Sequence, residues 1–430
     1  MAEQVLDHAF EEPKAGEGFP AFTVDGGWCW FADPRAVYRE GRLFTGWVDS
    51  RGSVVLGALD TRTGALERHV LHDALERDDH DNPTFEFHPD GRLMVFYSRH
   101  GKDDMYVVDA VNPGEISAWH PPRRITLNSR EVNAHVYSGG VDRYTYPSPY
   151  RLGDEGGRLY LFWRGLDNKP NLSISDDDGR SWSPGRIVIF PRETYLNQRP
   201  YTKYHTNGSD RIHVAFTDGH PRNEPTNSIY YACYRDGAFY RADGSLIKRL
   251  AELPFDAREA HVVYDARLTG HKAWVWEVAE DAAGHPVIVY VRFPTDEDHR
   301  YYYARWDGSR WHDRELTGTG RWFPNTPPGE TEREPNYSPG IALDRANPDV
   351  VYLSRRVNGI LEIERWHTRD GGATWESTPV TAGSKNDNIR PYVVNAGETS
   401  YLLWLNVERY RHYTDYLCSL RFTALPGAAG

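Results

Sequence analysis

Four residues suited to acid–base chemistry are spaced symmetrically about two predicted hairpin turns. In PTFEFHPDGRLMVFYS, Asp90-Gly91 separates two alternating apolar runs, which is a strong hairpin signal. His80 lies ten residues before Asp90, and His100 lies ten residues after it. Strands that fold at this turn would bring both imidazoles to the open end. Because a proton on one imidazole disfavours a proton on its neighbour, such a pair indicates a functional site.

A second predicted hairpin repeats this arrangement. Its sequence is TYPSPYRLGDEGGRLYLFWRG, and Tyr146 and Arg164 each lie nine residues from the turn centre at Glu155. A single His or Tyr at a strand end is usually structural. Four such residues in matched positions instead predict that His80, His100, Tyr146 and Arg164 form one catalytic cluster.

This combination of side chains suits β-elimination on a uronic acid. Removal of the C5 proton places a second negative charge on the neighbouring carboxylate, so a cationic group must neutralise it. Arginine does this through its planar bidentate fork. A His or Tyr then takes the proton, and an acid protonates the departing O4. The reaction requires no cofactor, and we predict no metal ion.

Other functions remain open from the residues alone. A glycoside hydrolase on the same linkage needs two facing carboxyl groups, and Asp33, Asp79, Asp81 and Asp218 form no evident pair across a hairpin. A sugar-binding protein without turnover would tend to repeat one binding motif, whereas the repeats described below differ from one another. A sialidase is a weaker candidate, because we find no clear Tyr–Glu pair and no arginine triad.

Composition favours β structure and excludes several partners. The 430 residues are 13% aromatic, with 14 Trp and 27 Tyr against 3 Met, and Gly (38) and Pro (28) recur as turn residues. A net charge of -12 argues against nucleic acid. The 3 cysteines are too scattered for a disulfide framework. We expect a cytoplasmic monomer, since residues 1–20 lack the features of a signal peptide and no apolar run is long enough to span a bilayer.

One unit of two or more strands recurs seven times along the chain. The units begin at FADPRAV, DNPTFEF, YTYPSPY, RPYTKYH, AWVWEVA, EPNYSPG and NIRPYVV. Seven repeats of this size predict an all-β fold, a seven-bladed β-propeller forming a single domain over residues 1–430, with blades from about 20 to 422.

In a propeller, inner strands start and second strands end on the same face, so the polar ends of the units should line one funnel. A loop over residues 324–336 would cover this funnel, with Arg333 at its tip. Alternatively, the loop could be disordered, and the polar residues at the ends of the units could pack between blades or lie on the surface outside the funnel. The candidate substrate-binding residues are Asn82, Arg199, Tyr201, Tyr204, Arg222 and Arg333.

Two segments fit the pattern S/T-x-D-x-G-x-x-W. The first contains Ser175, Asp177, Gly179 and Trp182, and the second spans residues 368–375. The pattern resembles the Asp-box of the bacterial-neuraminidase repeat, which lies at the turn between the third and fourth strands of a blade. It predicts a scaffold feature far from the funnel.

Several runs extend this resemblance to a family with known chemistry. WCWFADPRAV, DDHDNPTFEFHPDGRLMVFYSRHG, YTYPSPYRL, LFWRG, RPYTKY, FTDGHPRN and EPNYSPG are similar to the BNR-repeat propellers that include ulvan lyases and rhamnosyl-glucuronate lyases. The similarity covers about residues 26–421. It implies that His80, His100, Tyr146 and Arg164 are catalytic. Arg164 would neutralise the carboxylate, helped by Asn82 or His80, while His100 and Tyr146 would be base and acid in either order.

The resemblance also implies a substrate class. Ulvan lyases are secreted and cut a sulfated rhamnose–uronate polymer, whereas the rhamnosyl-glucuronate enzymes remove terminal α-L-rhamnose from glucuronic acid, as in arabinogalactan and gum arabic. We predict the second activity, with the first as the alternative. Ulvan lyases also resemble one another in a structural zinc site of His and Cys. Here His220 and Cys233 are the only suggestive pair, with Tyr231 at a third ligand position, so we predict no zinc site.

Overall fold

The computed structural model describes residues 18–102, 104–127, 129–136, 142–190, 198–322, 329–331, 333–397 and 399–425. The expectation about a signal peptide concerns residues 1–17, which lie outside this set. The predicted funnel loop also falls partly outside it, at residues 324–328 and 332. Among the described residues, no helix has the length and apolar character needed to cross a membrane.

The described strands form seven antiparallel sheets, which are the blades of a β-propeller, as the repeats predicted. The first strand, β1 (Ala21–Thr23), belongs to the last blade. From the centre outward, blade 1 is formed by β2 (Ala36–Arg39), β3 (Arg42–Val48), β4 (Val54–Asp60) and β5 (Leu66–His72). Blade 2 is formed by β6 (Thr84–Phe87), β7 (Leu93–Ser98), β8 (Met105–Asp109) and β9 (Arg123–Ile125). Blade 3 is formed by β10 (Thr145–Leu152), β11 (Arg158–Arg164), β12 (Pro170–Ser175) and β13 (Arg186–Ile187).

Blade 4 is enlarged, because β19 also pairs with its third strand. Its strands are β14 (Thr202–Thr206), β15 (Ile212–Thr217), β16 (Ile229–Arg235), β17 (Ala238–Tyr240), β18 (Leu246–Arg249) and β19 (His261–Tyr264). Blade 5 contains β20 (Lys272–Glu280), β21 (Pro286–Phe293), β22 (Arg300–Trp306) and β23 (Trp311–Gly318). Blade 6 contains β24 (Ile341–Leu343), β25 (Val350–Val357), β26 (Ile360–His367) and β27 (Glu376–Pro379). Blade 7 contains β28 (Asp387–Ala396), β29 (Thr399–His412), β30 (Asp415–Leu425) and β1.

The few helices lie in the connections. They are α1 (Ser129–Val132), α2 (Ala266–Thr269) and the 3-10 turns Asp79–Asp81, Leu166–Asn168, Leu250–Glu252 and Ala257–Glu259. The ring closes where β1 pairs with β30, with Ala21 opposite Arg421. A strand from the start of the chain thus completes the blade built from its end.

The two hairpins singled out in the sequence differ in register. In blade 2, Thr84 pairs with Phe96, which is the predicted register. In blade 3, Thr145 rather than Tyr146 pairs with Arg164, because the register shifts between Thr145 and Ser148. Tyr146 lies in this irregularity with a φ of 59°. A non-glycine residue in the left-handed region stores backbone strain, which is common at functional sites.

Both S/T-x-D-x-G-x-x-W segments lie between the third and fourth strands of a blade. Asp177 Oδ1 accepts from the Ser181 backbone N–H at 2.8 Å, and Gly179 has a φ of 80°, which favours glycine. Trp182 contacts Phe96 of blade 2 edge-on, with ring centroids 6.1 Å apart. In blade 6, Asp370 Oδ1 accepts from Thr374 N–H in the same way. These segments therefore stabilise turns and blade contacts rather than forming part of the funnel.

Candidate active site

A short 3-10 turn between blades 1 and 2 positions the first histidine. The turn spans Asp79–Asp81, and the side chain of Asp78 caps it by accepting from the His80 backbone N–H at 3.0 Å. His100 follows β7, the second strand of the same blade. The two imidazoles stack with ring centroids 4.1 Å apart and planes 14° from parallel. The hairpin thus brings the two rings into direct contact.

One carboxylate joins both imidazoles. Asp78 Oδ1 lies 2.5 Å from His80 Nδ1, and Asp78 Oδ2 lies 2.9 Å from His100 Nδ1. Burial alone would lower the pKa of His80, but the charge of Asp78 raises it well above its ordinary value. Burial and the charge of His80 instead lower the pKa of His100 to about 3. The pKa values of the stacked rings are therefore shifted in opposite directions, which favours a proton on His80 over a proton on His100.

Arg164 links the histidines to two tyrosines. Its Nη2 donates to His100 Nε2 at 2.8 Å, and its Nη1 donates to the hydroxyl of Tyr201 at 2.9 Å. The guanidinium lies 4.8 Å from the ring centroid of Tyr146, and burial raises the pKa of this tyrosine well above its usual value although Arg164 opposes the shift. His80, His100, Tyr146 and Arg164 therefore form one contiguous cluster.

Aromatic side chains surround this cluster. Phe31 contacts both Tyr146 and Tyr201, with centroid distances of 5.6 Å and 4.7 Å. Tyr413, from the turn after β29 in blade 7, meets the His80 ring edge-on at 4.6 Å. The low polarity of these walls strengthens electrostatic interactions with a bound anion.

Two of the predicted substrate-binding residues have structural positions instead. Asn82 is completely buried, and its Oδ1 accepts from the Cys29 backbone N–H at 3.0 Å, so its amide holds the chain beneath the site. Tyr204 is buried between blades 3 and 4, where its ring stacks on Phe162 with centroids 4.4 Å apart. Packing and a backbone hydrogen bond account for these two positions, and a substrate-binding role for Asn82 and Tyr204 stays a prediction.

The other four lie at or near the funnel. Tyr201 contacts Arg164 directly, and Arg199 is exposed. Arg222 donates from Nη1 to Glu334 Oε1 at 2.7 Å and to the Arg333 carbonyl at 2.8 Å. The described part of the predicted funnel loop is therefore joined to the blade 4 connection that carries Arg222. Their binding roles stay predictions.

Sequence reasoning missed several residues of the site. Asp78 lies two positions before His80, and its cap geometry appears only in the folded turn. Tyr413 follows the second strand of blade 7, so the rule that selected His100 and Arg164 also applied to it. Glu334 is buried, and burial raises its pKa.

The site contains donor atoms spaced for a cation, although hydrogen bonds already occupy them. The sets Asp78, His80, His100 and Cys29, Asp79, His80 each place their donors within 4.8 Å of one another. Asp78 already accepts from both histidines. Asp79 Oδ2 already binds the cationic Arg390 at 2.5 Å. We assign no metal ion to these residues.

The suggested zinc ligands do not fit a zinc site. Cys233 pairs with His213 near the far end of β16, whereas His220 follows the other end of β15. His213 uses both ring nitrogens, with Tyr231 Oη 2.6 Å from Nδ1 and Glu280 Oε2 2.8 Å from Nε2. Burial raises the pKa of the Cys233 thiol to about 11. We assign no zinc ion to these residues, and the absence of a zinc site stays a prediction.

Comparisons with known proteins agree with the fold. The profile of the BNR repeat-containing family matches residues 42–319. A PL25 ulvan lyase bound to the saccharide -[GlcA(1-4)Rha3S]- has a TM-score of 0.67 at 15% identity, covering 95% of each chain. Polysaccharide lyase Uly1 has a TM-score of 0.58 at 11% identity, covering 94% of this chain and 92% of its own.

A lectin shares the same architecture. BP39L from Burkholderia pseudomallei has a TM-score of 0.51 at 11% identity, covering 91% of this chain and 93% of its own. No protein with a curated description matches the sequence significantly. Since propellers of this kind include both lyases and lectins, function has to be argued from the site.

Proposed function

This chain belongs to the BNR repeat-containing family, and we propose that it is a carbohydrate lyase that cleaves by β-elimination at a 4-linked glucuronic acid. One observation carries the proposal: Arg164, His100 and His80 form a continuous polar chain beside Tyr146 at the funnel. The likeness in fold to an ulvan lyase bound to a GlcA-containing saccharide supports it.

Arg164 is suited to hold the uronate carboxylate. Its guanidinium is buried, and it lies beside the rings of Tyr146 and Tyr201, which fix its plane. A planar fork binds a carboxylate through two parallel hydrogen bonds. The cationic His80 adds positive charge nearby. Together these groups stabilise the second negative charge that forms when C5 loses its proton.

His100 and Tyr146 then divide the proton transfers. The Nε2 atom of His100 accepts from Arg164 and so carries no proton, which suits a base for the C5 hydrogen. Tyr146 has a raised pKa and keeps its phenolic proton, which suits the acid that protonates O4. The base and the acid are thus distinct groups with opposite resting states.

The preferred substrate is a short saccharide with α-L-rhamnose on O4 of glucuronate. The contacts of Arg222 with Glu334 and with the Arg333 carbonyl join the blade 4 connection to the described part of the predicted funnel loop. We propose that these joined segments restrict the approach to the cluster, which would favour a chain end over the middle of a polymer. Elimination would then release rhamnose and leave an unsaturated uronate.

Incubation with gum arabic, arabinogalactan and ulvan oligosaccharides tests this proposal. We expect the ultraviolet absorbance of a C4–C5 unsaturated uronate to rise in step with released rhamnose. Absorbance from ulvan fragments alone would replace the substrate with the sulfated polymer. Rhamnose release without absorbance would overturn elimination in favour of hydrolysis, and binding without product would indicate a lectin-like protein.

Leaving-group chemistry separates the base from the acid. A nitrophenyl group on O4 departs without protonation, so Tyr146→Phe should regain most of its activity on that substrate. His100→Gln should stay inactive, because C5 deprotonation is still required. The reverse pattern of rescue would exchange the two roles.

A further inference from the structure

Asp78 is the shared partner of both histidines, and both of its oxygens are used for this. It is buried, and it accepts from His80 Nδ1 at 2.5 Å, from His100 Nδ1 at 2.9 Å and from the His80 backbone N–H. An ionised carboxylate can only accept hydrogen bonds, so each Nδ1 must carry a proton. The Nε2 atom of each ring is therefore the one left for other partners.

A single negative charge next to two stacked imidazoles accommodates one added proton well and two poorly. The rings are 4.1 Å apart, so two imidazolium ions would repel strongly. Asp78 contacts His80 at the shorter distance, and Arg164 donates to the Nε2 of His100. Both contacts place the extra proton on His80 and leave His100 neutral.

Neither of the neighbouring carboxyl groups, those of Asp79 and Asp81, forms hydrogen bonds with both imidazoles. Asp79 Oδ1 also lies 3.3 Å from His80 Nδ1, a longer contact than the 2.5 Å of Asp78, while Asp79 Oδ2 binds Arg390 and accepts from the Tyr410 hydroxyl at 2.6 Å. The two side-chain oxygens of Asp81 are buried and lack a hydrogen-bond partner among the described residues. Burial and the nearby charge of Asp78 raise the pKa of Asp81 well above its usual value.

We propose that Asp78 is a positioning residue that fixes the tautomers of both histidines and keeps them in unlike protonation states, one cationic and one neutral. The inference rests on the proposed function, because it makes His80 a fixed cation for the uronate carboxylate and His100 a neutral base, whose Nε2 turns from Arg164 to the C5 hydrogen when the carboxylate binds Arg164. Asp78 itself touches neither substrate nor the reacting atoms.

Asp78→Asn tests this with little change in shape. An amide offers one acceptor oxygen and one N–H₂ group, so one imidazole would have to present a lone pair at Nδ1 and carry its proton at Nε2. We expect kcat to fall on the order of 10²- to 10⁴-fold, as when a general base is removed, with a smaller change in KM. Asp78→Glu, which restores the charge, should regain part of the loss.

The matched control is Asp81→Asn. It lies in the same 3-10 turn and is equally buried, but it has no contact with either imidazole. An amide has nearly the same shape as the carboxyl group, and the substitution removes no hydrogen bond, because neither oxygen of Asp81 has a partner among the described residues. We expect kcat to stay near the wild-type value, and an equal loss in both variants would overturn a specific role for Asp78.

Nitrogen NMR of the histidine rings gives a readout that a merely structural role would not move. In the wild type we expect His80 to be an imidazolium and His100 to be a neutral ring protonated at Nδ1. In Asp78→Asn we expect one of the two rings to be neutral and protonated at Nε2 instead. The titrating or charged groups near the two rings are Cys29, Glu76, Asp78, Asp79, Asp81, Tyr146, Arg164, His220, Glu334 and Tyr413.

The NMR result is independent of catalysis, so the two proposals can fail separately. An enzyme inactive on uronates with the expected ring states would overturn the proposed function and leave the role of Asp78 intact. Unchanged ring states in a folded Asp78→Asn variant would overturn the role of Asp78. If that variant does not fold, Asp78→Glu takes its place: its carboxylate is displaced by one methylene group, so kcat should lie below the wild-type value. Wild-type kcat and ring states in Asp78→Glu would then overturn the role of Asp78.

Discussion

Two clusters of buried charge, around Asp33 and around Asp78, differ in the hydrogen-bonding atoms that their partners leave available. Around Asp33, both carboxylate oxygens meet permanent cations: Arg35 Nε donates at 2.9 Å, and Lys203 Nζ donates to the other oxygen. Around Asp78, both oxygens meet imidazoles, each with a second nitrogen directed elsewhere. In the first cluster both oxygens of Asp33 accept from cations. In the second cluster the hydrogen bonds continue from Asp78 through His100 to Arg164, which donates to His100 Nε2.

The comparison shows that burial and charge alone do not identify a catalytic site. Although burial opposes it, the charges of Lys203 and Arg35 lower the pKa of Asp33, so this cluster has its own strong perturbation. Its cations are an arginine and a lysine, and both oxygens of Asp33 are already paired with them. In the Asp78 cluster the partners are imidazoles, which can donate a proton from one nitrogen and accept one at the other, so of the two clusters this one is suited to acid–base chemistry.

The sharpest test of the Asp78 cluster removes its base. His100→Ala should lower kcat roughly 10²- to 10⁴-fold while the melting temperature stays close to that of the wild type. The control is His88→Ala, since His88 is also bonded to two carboxylates, Asp109 and Asp178, but lies away from the funnel. That variant should lose stability and keep kcat. Equal activity in both would remove His100 from the site.

Replacing the guanidinium tests whether its shape matters beyond its charge. Arg164→Lys keeps the charge but loses the planar fork and the contacts with Tyr201 and His100. We expect a loss on the order of 10²- to 10³-fold in kcat/KM, the effect of removing one preorganised donor. Near-wild-type turnover would show that another cation holds the carboxylate.

Breaking the Asp33 cluster should change stability without changing chemistry. Lys203→Met leaves Asp33 buried with one cation fewer, and removal of one partner from a buried pair costs about 3 to 5 kcal/mol. Denaturant unfolding measures this loss, and kcat per folded molecule should be unchanged. Lys248→Met, which breaks the more exposed pair with Glu259, should cost about 1 kcal/mol or less. Lost kcat in a folded Lys203→Met variant would mean that the two clusters are coupled.

The pH dependence should show how His80 controls His100. With a pKa of about 3, His100 stays unprotonated through the mildly acidic range, so kcat/KM should not fall near pH 6.5 on its account. His80→Gln removes the neighbouring positive charge while Asp78 remains, so the pKa of His100 should rise. The acid limb of kcat/KM should then move to higher pH. An unmoved limb would show that another group governs it.

The smallest effect should come from the outer turns. Asp177→Ala removes the acceptor for Ser181 N–H in the turn between β12 and β13. We expect a modest fall in melting temperature and unchanged kcat. A clear loss of activity with the fold intact would connect this turn to the funnel.

The fold and the core of the cluster were predictable because their signals are local. Seven strand–turn–strand units predicted seven blades. The Asp90-Gly91 turn predicted the register of β6 and β7, which brings His80 and His100 to the same end of the hairpin. The enlarged blade 4 and the closing pairing of β1 with β30 were not predicted. They depend on contacts between distant segments, for which the sequence pattern carries no periodic signal.

Asn82 and Tyr204 show what the same reasoning could not decide. Both residues lie near the start of an inner strand, which suggested that they line the funnel. The Asn82 side chain instead accepts from a backbone N–H, and the Tyr204 ring packs between two blades. A residue's place along a strand determines the end of the blade at which it lies. The pleat and the neighbouring blade decide the direction in which its side chain extends.

The sequence by itself therefore determined the repeat, the turns and the kinds of side chain available at the funnel, because hydrogen-bond patterns of turns and apolar alternation act over a few residues. Only the tertiary structure decided that Asp78 rather than Asp79 or Asp81 serves the histidines, and that a bulge offsets Tyr146 from Arg164. Protonation states depend on charges and burial contributed by several blades at once. Those distances exist only once the ring has closed.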